Sequence, residues 1–222
     1  MAAPDSELLA EFEKAKKLHT TCESLRLALS PMVKSGHDAK EIFNKFGCKK
    51  SSIVSTSRYA VLGTVMATCN KDCGCSELND LFRNIGEFEI IAGKEEDVFI
   101  GKIKSGLLQT CNTFLDVTFP SLNKEMKILN DLTSSMESCQ KKYTKEKNCD
   151  KQAKLEVEMK SAEVKCAKQR SGTVTLLKQA NTVEKSIKED LVSLLTAQIN
   201  YYQLCLQNAT QTLSGLKKAG NK

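Results

Sequence analysis

Tryptophan is absent from this 222-residue chain, aromatic residues make up 5% of it, and there are only three prolines and eleven glycines. That scarcity argues against β-sandwiches and propellers, which need frequent turns and aromatic cores, and against Pro/Gly-rich disorder. No long apolar run is present either. The most apolar window, Ile53 to Cys69, is broken by Arg58 and falls short of the roughly 20 residues a membrane-spanning helix needs. What remains is 41% apolar and 27% charged residues over a length ample for a sizeable core, a composition that favours long helices.

Several chemistries lack their signatures. The pattern GxxxxGK[ST] does not occur, nor does a zinc-protease or nucleotide-fold fingerprint. Of the two histidines, His19 shares a helical face with Cys22 and His37 lies in a helix break. Neither has an acidic partner at catalytic spacing, so no enzyme and no cofactor is expected. The start, MAAPDSELLAEFEKAKK, has no basic region followed by an apolar core, so a cytosolic chain without a secretory signal is expected. Ten cysteines are spread along the chain and read mostly as reduced, small core residues. The cluster Cys69, Cys73 and Cys75 in CNKDCGC leaves zinc binding or modification open, but the paired spacing of a structural zinc site is missing.

Periodicity places three long helices. Leu8, Phe12, Ala15, Cys22, Leu25, Leu29 and Met32 form one stripe, predicting a first helix from about residue 5, kinked or ended near Pro31 and resumed by a short segment to about 46. A connector follows over about 47–75, Ser/Thr-rich and β-branched, with room for a short helix around Tyr59 to Met66. A second helix is predicted over about 76–147. Within it Leu115, Phe119, Leu122, Met126, Leu129, Thr133, Met136, Gln140 and Tyr143 alternate at spacings of 4 and 3, with Pro120 inside the seam as a kink. Asn148-Cys149-Asp150 is the turn, and a third helix of about 151–218 follows. Its last half repeats Val192, Leu195, Ile199, Tyr202, Leu206, Ala209, Leu213 and Leu216 at spacings of 3 and 4 without exception. Leu195, Ile199, Tyr202, Leu206 and Leu213 are therefore predicted to pack in the core or in a dimer. Gly172 is a predicted kink, facing Pro120 within about two turns in an antiparallel pair.

The net charge of +6 suits an anionic partner without the excess of a dedicated nucleic-acid binder, and no nucleic acid is expected. Between Lys141 and Arg170 ten basic residues face five acidic ones, which is nearly all of the net charge. The third helix would be about 100 Å long at 1.5 Å per residue, so this excess lies at one end of an elongated body. Each Lys or Arg beside an anionic leaflet is worth about 1 kcal/mol, enough for salt-sensitive membrane affinity from the cluster around the turn. A solvated helical hairpin also carries charges in any case.

These stretches resemble a known family. The Pro-kinked FLDVTFPSLNKEMKILNDLTSSMESCQKKYTKEK, the Lys-rich tip, the closing LVSLLTAQINYYQLCLQNATQTLSGL and the earlier CSELNDLFRNIGEFEIIAG are similar to BAR domains of the amphiphysin, endophilin, arfaptin and sorting-nexin group. The resemblance covers most of the chain except Gly47 to Gly74. It implies an all-α fold, a long kinked antiparallel three-helix coiled coil that pairs into a crescent-shaped six-helix homodimer. Its concave face and tips would bind anionic phospholipid, phosphoinositide or phosphatidylserine, and sense or stabilise curvature in endocytic or vesicle trafficking. The chain would then be cytoplasmic and peripheral to plasma, endosomal or vesicular membranes.

Carried over by position, the resemblance assigns Lys141, Lys142, Lys145, Lys147 and Lys151 to the tip and Lys124 and Lys127, more weakly, to the concave face. The N-terminus is acidic and short, which departs from family members that insert an amphipathic helix and points to scaffolding by shape and charge. The alternative is a helical dimeric adaptor for a small GTPase or another protein, without direct membrane remodelling.

Overall fold

The alternating apolar spacing at the end of the sequence folds into one helix of 71 residues. The computed structural model describes residues 6–34, 57–69 and 76–219, and there is no strand among them. In chain order the elements are α1 (Ser6–Lys34), α2 (Arg58–Cys69), α3 (Ser76–Ile103), a π turn (Lys104–Leu108), α4 (Gln109–Thr113), a second π turn (Phe114–Thr118), α5 (Phe119–Lys145) and α6 (Cys149–Ala219). The protein is all-α. Contacts gather the chain into two compact units, residues 1–25 with 110–187 and residues 26–109 with 188–222.

In the first unit the stripe of α1 is buried at Leu8, Phe12, Ala15 and Cys22. Cys111, Phe114, Leu115, Leu122, Met126 and Leu129 are buried from the middle of the chain, and Thr173, Leu177, Ala180 and Ile187 from α6. Phe119 is the aromatic centre, with its ring centroid 6.4 Å from Phe12, 5.9 Å from Phe114 and 4.3 Å from the His19 ring. Asn181 donates to Glu11 at 2.8 Å, and Gln169 donates to the Glu125 carbonyl at 3.2 Å. Cys22 and Cys111 are both fully buried. A hydrogen bond to Cys111 together with burial holds the Cys22 thiol well above its ordinary range, so it behaves as an inert core group.

The π turns show how the sequence accommodates Pro120. Proline has no N–H and its ring crowds the carbonyl four residues earlier. The Phe119 N–H reaches back five residues to the Phe114 carbonyl, and Pro120 follows within the first turn of α5, where the register has just changed. The first π turn carries a backbone departure at Gly106, with φ −101° and ψ −107°. The second helix, predicted over about 76–147 with a kink at Pro120, is thus a continuous run from Ser76 to Lys145 with π turns at Lys104–Leu108 and Phe114–Thr118. Pro31 lies inside α1, which continues past it to Lys34. Gly172 lies in unbroken α6 on an exposed face, with no atom within 4 Å of where a Cβ would sit.

The second unit contains α2, within the stretch read as a connector. Ser57 caps it: its hydroxyl accepts the Tyr59 N–H at 3.2 Å, its carbonyl accepts the Val61 N–H at 3.1 Å, and its hydroxyl donates to Glu96 of α3. Glycine allows α2 and α3 to touch backbone to backbone. A Cβ at Gly63 would lie 2.4 Å from the Gly86 carbonyl oxygen, and one at Gly93 would lie 2.5 Å from the Ala60 nitrogen. Around this crossing Ala60, Val61 and Ala92 are buried, with Ile103, Leu107 and Leu108 further along.

From residue 188 to 217 no residue of α6 is buried. Its inward row is Leu194, Gln198, Tyr201, Cys205, Asn208 and Thr212, all half-buried, and Tyr201 stacks on Phe99 at 5.9 Å. The predicted stripe runs beside that row and faces out. Leu195, Ile199, Tyr202, Leu206 and Leu213 are all exposed, Leu206 by 70%, so within the chain they are not core. The spacing fixed the existence of the stripe but could not say which of two neighbouring rows turns inward.

Candidate functional site

The basic arm of the first unit ends in the turn Glu146–Asn148 between α5 and α6. Beyond Leu129 and before Thr173 no side chain is buried, so this arm is a solvated two-helix hairpin. Its turn is built by two side chains. Glu146 leaves the helix in an extended conformation, and its carboxylate accepts the N–H groups of Lys147 and Asn148, each at 3.0 Å. Asn148 then caps α6, accepting the N–H of Asp150 at 3.0 Å and of Lys151 at 3.2 Å. The bonds from Asn148 and Lys147 hold the Glu146 carboxyl below its usual range, with the Lys151 charge adding to them, so it is ionised at neutral pH.

The lysines therefore surround a turn in which one Glu146 carboxylate oxygen and the Asn148 side-chain oxygen accept backbone N–H groups. Lys141, Lys142 and Lys145 come from α5, Lys147 from the turn, and Lys151 and Lys154 from α6, all exposed. Lys142 and Lys145 lie in the last turn of α5, where cations are favoured by the helix dipole, and Asp150 lies in the first turn of α6, where an anion is. Among the described residues none of these six lysines pairs with a carboxylate, whereas Lys160, further along the arm, pairs with Glu156 at 2.8 Å. Four of them, Lys142, Lys145, Lys151 and Lys154, line an open cleft of about 510 Å³ with Glu146 and Leu155.

Lys141 and Lys147 lie outside the cleft lining, and Lys154, absent from the predicted tip set, is in it. The signal for Lys154 was available: Lys151-x-x-Lys154-Leu155 repeats the spacing of Lys142-x-x-Lys145-Glu146, which sets three residues on one helical face. Lys124 and Lys127 are exposed on α5 but are not part of the cleft. Cys73 and Cys75 lie outside the described residues, as does the side chain of Cys69. Among the described residues no group of His, Cys, Asp or Glu is arranged to hold a metal ion, and no helix is long and apolar enough to cross a membrane.

Among the described residues the chain is helical throughout but for a few turn positions, and its solvated hairpin ends in lysines without an ion-pair partner. The BAR domain family model matches residues 4–218, and the chain belongs to the BAR domain family. Proteins of this family generally dimerise and bind membranes. No match was found among curated proteins.

Proposed function

We propose that this chain is a non-enzymatic, peripheral membrane-binding protein that works as a homodimer, senses or stabilises curvature, and acts in endocytic or vesicle trafficking. The observation that carries the reading is the set of unpaired lysines around one turn, Lys141, Lys142, Lys145, Lys147 and Lys151. Each contributes about 1 kcal/mol beside an anionic leaflet, and their sum falls with salt. Lys124 and Lys127 add a weaker basic surface along the arm. Membership of the family supports pairing of antiparallel three-helix units into a six-helix crescent. The exposed stripe Leu195, Ile199, Tyr202, Leu206 and Leu213 supports it too, because contiguous apolar surface of this kind is what a partner subunit covers.

The test is co-sedimentation of the full chain with phosphatidylcholine vesicles of several diameters, with and without phosphatidylserine, at low and physiological salt. Salt-sensitive binding to the anionic vesicles with a preference for one diameter is expected. Absence of binding at every diameter contradicts the reading and transfers the tip to a protein partner.

A further inference from the structure

We infer that Cys22 and Cys111 are a latent disulfide pair, a site of reversible oxidation by a small peroxide, whose bond staples α1 to α4 inside the first unit. The inference does not depend on what the tip binds.

Three observations carry it. Both side chains are fully buried, at 0% exposure, and their thiols are hydrogen-bonded to each other. Thiols in such contact turn their Cβ–S bonds toward one another, which is the arrangement a disulfide requires. Other free cysteines are placed differently: Cys166 meets the Thr133 hydroxyl at 3.6 Å, Cys205 meets the Tyr201 hydroxyl, and Cys149 is exposed. The third observation is where the two partners stand in the fold. Cys22 lies on the 29-residue α1, and Cys111 lies in the five residues of α4, between the π turns at Lys104–Leu108 and Phe114–Thr118. A bond here ties a long helix to the segment in which the register of its neighbour changes twice, and so fixes that segment in place.

At rest the pair is inert, because burial and the mutual hydrogen bond both hold back the thiolate that an oxidant needs. Reaction therefore waits for a local opening of the unit and is slow. The opening has to free only one sulfur. Its thiolate attacks a peroxide oxygen, the O–O bond breaks, and the hydroxide released takes up the thiol's proton, leaving a sulfenic acid and one water. On reclosure the neighbouring thiol attacks the sulfenyl sulfur, the S–O bond breaks, and hydroxide leaves with the second proton as another water. Two thiols are oxidised to one disulfide and hydrogen peroxide is reduced to two waters. The closed bond is as hidden from reducing thiols as its precursors were from oxidant, so it forms slowly and persists. It encloses a loop of about 90 residues, long enough to restrict the unfolded chain strongly.

The experiment treats the reduced full chain with hydrogen peroxide, blocks the remaining thiols under denaturing conditions, digests without reduction and maps the peptides by mass spectrometry. The expected product is a peptide joining Cys22 to Cys111, two hydrogens lighter than its parts, in chains that stay single on a denaturing gel. With it Tm should rise by about 5–10 °C and return to its starting value with dithiothreitol. Cys111→Ala should remove both the joined peptide and the rise in Tm, and if that variant does not fold, the map of the unmodified sequence decides alone. Recovery of Cys22 and Cys111 as free thiols or as sulfinic acids, while Cys149 is oxidised, overturns the inference. Repeating the reaction in urea below the unfolding transition, where local opening is more frequent, removes slow access as the reason for such a result. A joined peptide without a rise in Tm overturns the staple.

Discussion

Two stretches of this protein, residues 130–172 and 188–217, contain no buried residue, yet they solve opposite problems. The first is the arm, whose outward faces carry lysines, with Val157 and Val164 as isolated exposed apolar residues. The second is the end of α6, whose outward face is a continuous row of Leu195, Ile199, Tyr202, Leu206 and Leu213. Scattered exposed valines are ordinary, whereas a contiguous apolar row marks a surface meant to be covered. Lack of burial in a single chain therefore has two meanings. In the arm it leaves charge free to meet an anionic surface, a contribution that salt screens; along α6 it leaves apolar area to meet protein, a contribution that salt hardly weakens.

The largest effect should come from the apolar row. Leu195→Asp with Leu206→Asp acts twice in a symmetric dimer, and each buried leucine is worth about 1.5–3 kcal/mol, so the double variant should be monomeric by light scattering at any salt concentration. A variant that stays dimeric would break the comparison. Next comes the tip. Reversal of Lys141, Lys142, Lys145 and Lys147 to Glu should lower affinity for phosphatidylserine vesicles by about a thousandfold or more at low salt, with a smaller factor at physiological salt and no change in dimer mass.

Smaller effects sharpen the fold. Gly63→Ala forces a Cβ into the Gly86 carbonyl and should cost about 1–3 kcal/mol, seen as a fall in Tm of about 2–4 °C per kcal/mol. Gly172→Ala should do the reverse. With open space around it and an unbroken helix, alanine should raise stability by about 1 kcal/mol and leave vesicle binding unchanged. A loss of stability there would show that the backbone at Gly172 needs glycine. The Glu146 carboxyl gives a pH readout of the turn. Its folded pKa is depressed, so its contribution is present above the unfolded value and lost as pH falls through the folded one; the Lys147 and Asn148 amide resonances should move at a pH below 4.5, and movement above it would contradict the hydrogen bonds.

Periodicity carried much of this architecture. The third helix expected over about 151–218, with its unbroken 3 and 4 spacing from Val192 to Leu216, corresponds to α6 at Cys149–Ala219, and the stripe of α1 is buried at Leu8, Phe12, Ala15, Cys22 and Leu29. Met32, on that same stripe, is exposed by 45%. Two features were hidden because they depend on contacts distant in sequence. A short helix around Tyr59 to Met66 was among the readings of the connector and α2 spans Arg58–Cys69, but its docking rests on Gly63, Gly86, Gly93 and Ala60 meeting across two helices, which no local pattern reveals. The π turns shift the register of the second helix, so a seam extrapolated through Pro120 does not keep one uniform phase. At the tip the lysines were legible as a cluster, but the cleft depends on how the two helices face each other across Glu146–Asn148, which brings in Lys154 and leaves out Lys141 and Lys147.

The most direct test of this account is the mass of the full chain in solution by light scattering, at low and at high salt. The pairing proposed for the exposed row on α6 predicts a stable dimer at twice the 24.5 kDa of one chain in both conditions. A monomer of 24.5 kDa, or a dimer that dissociates as salt rises, would contradict it.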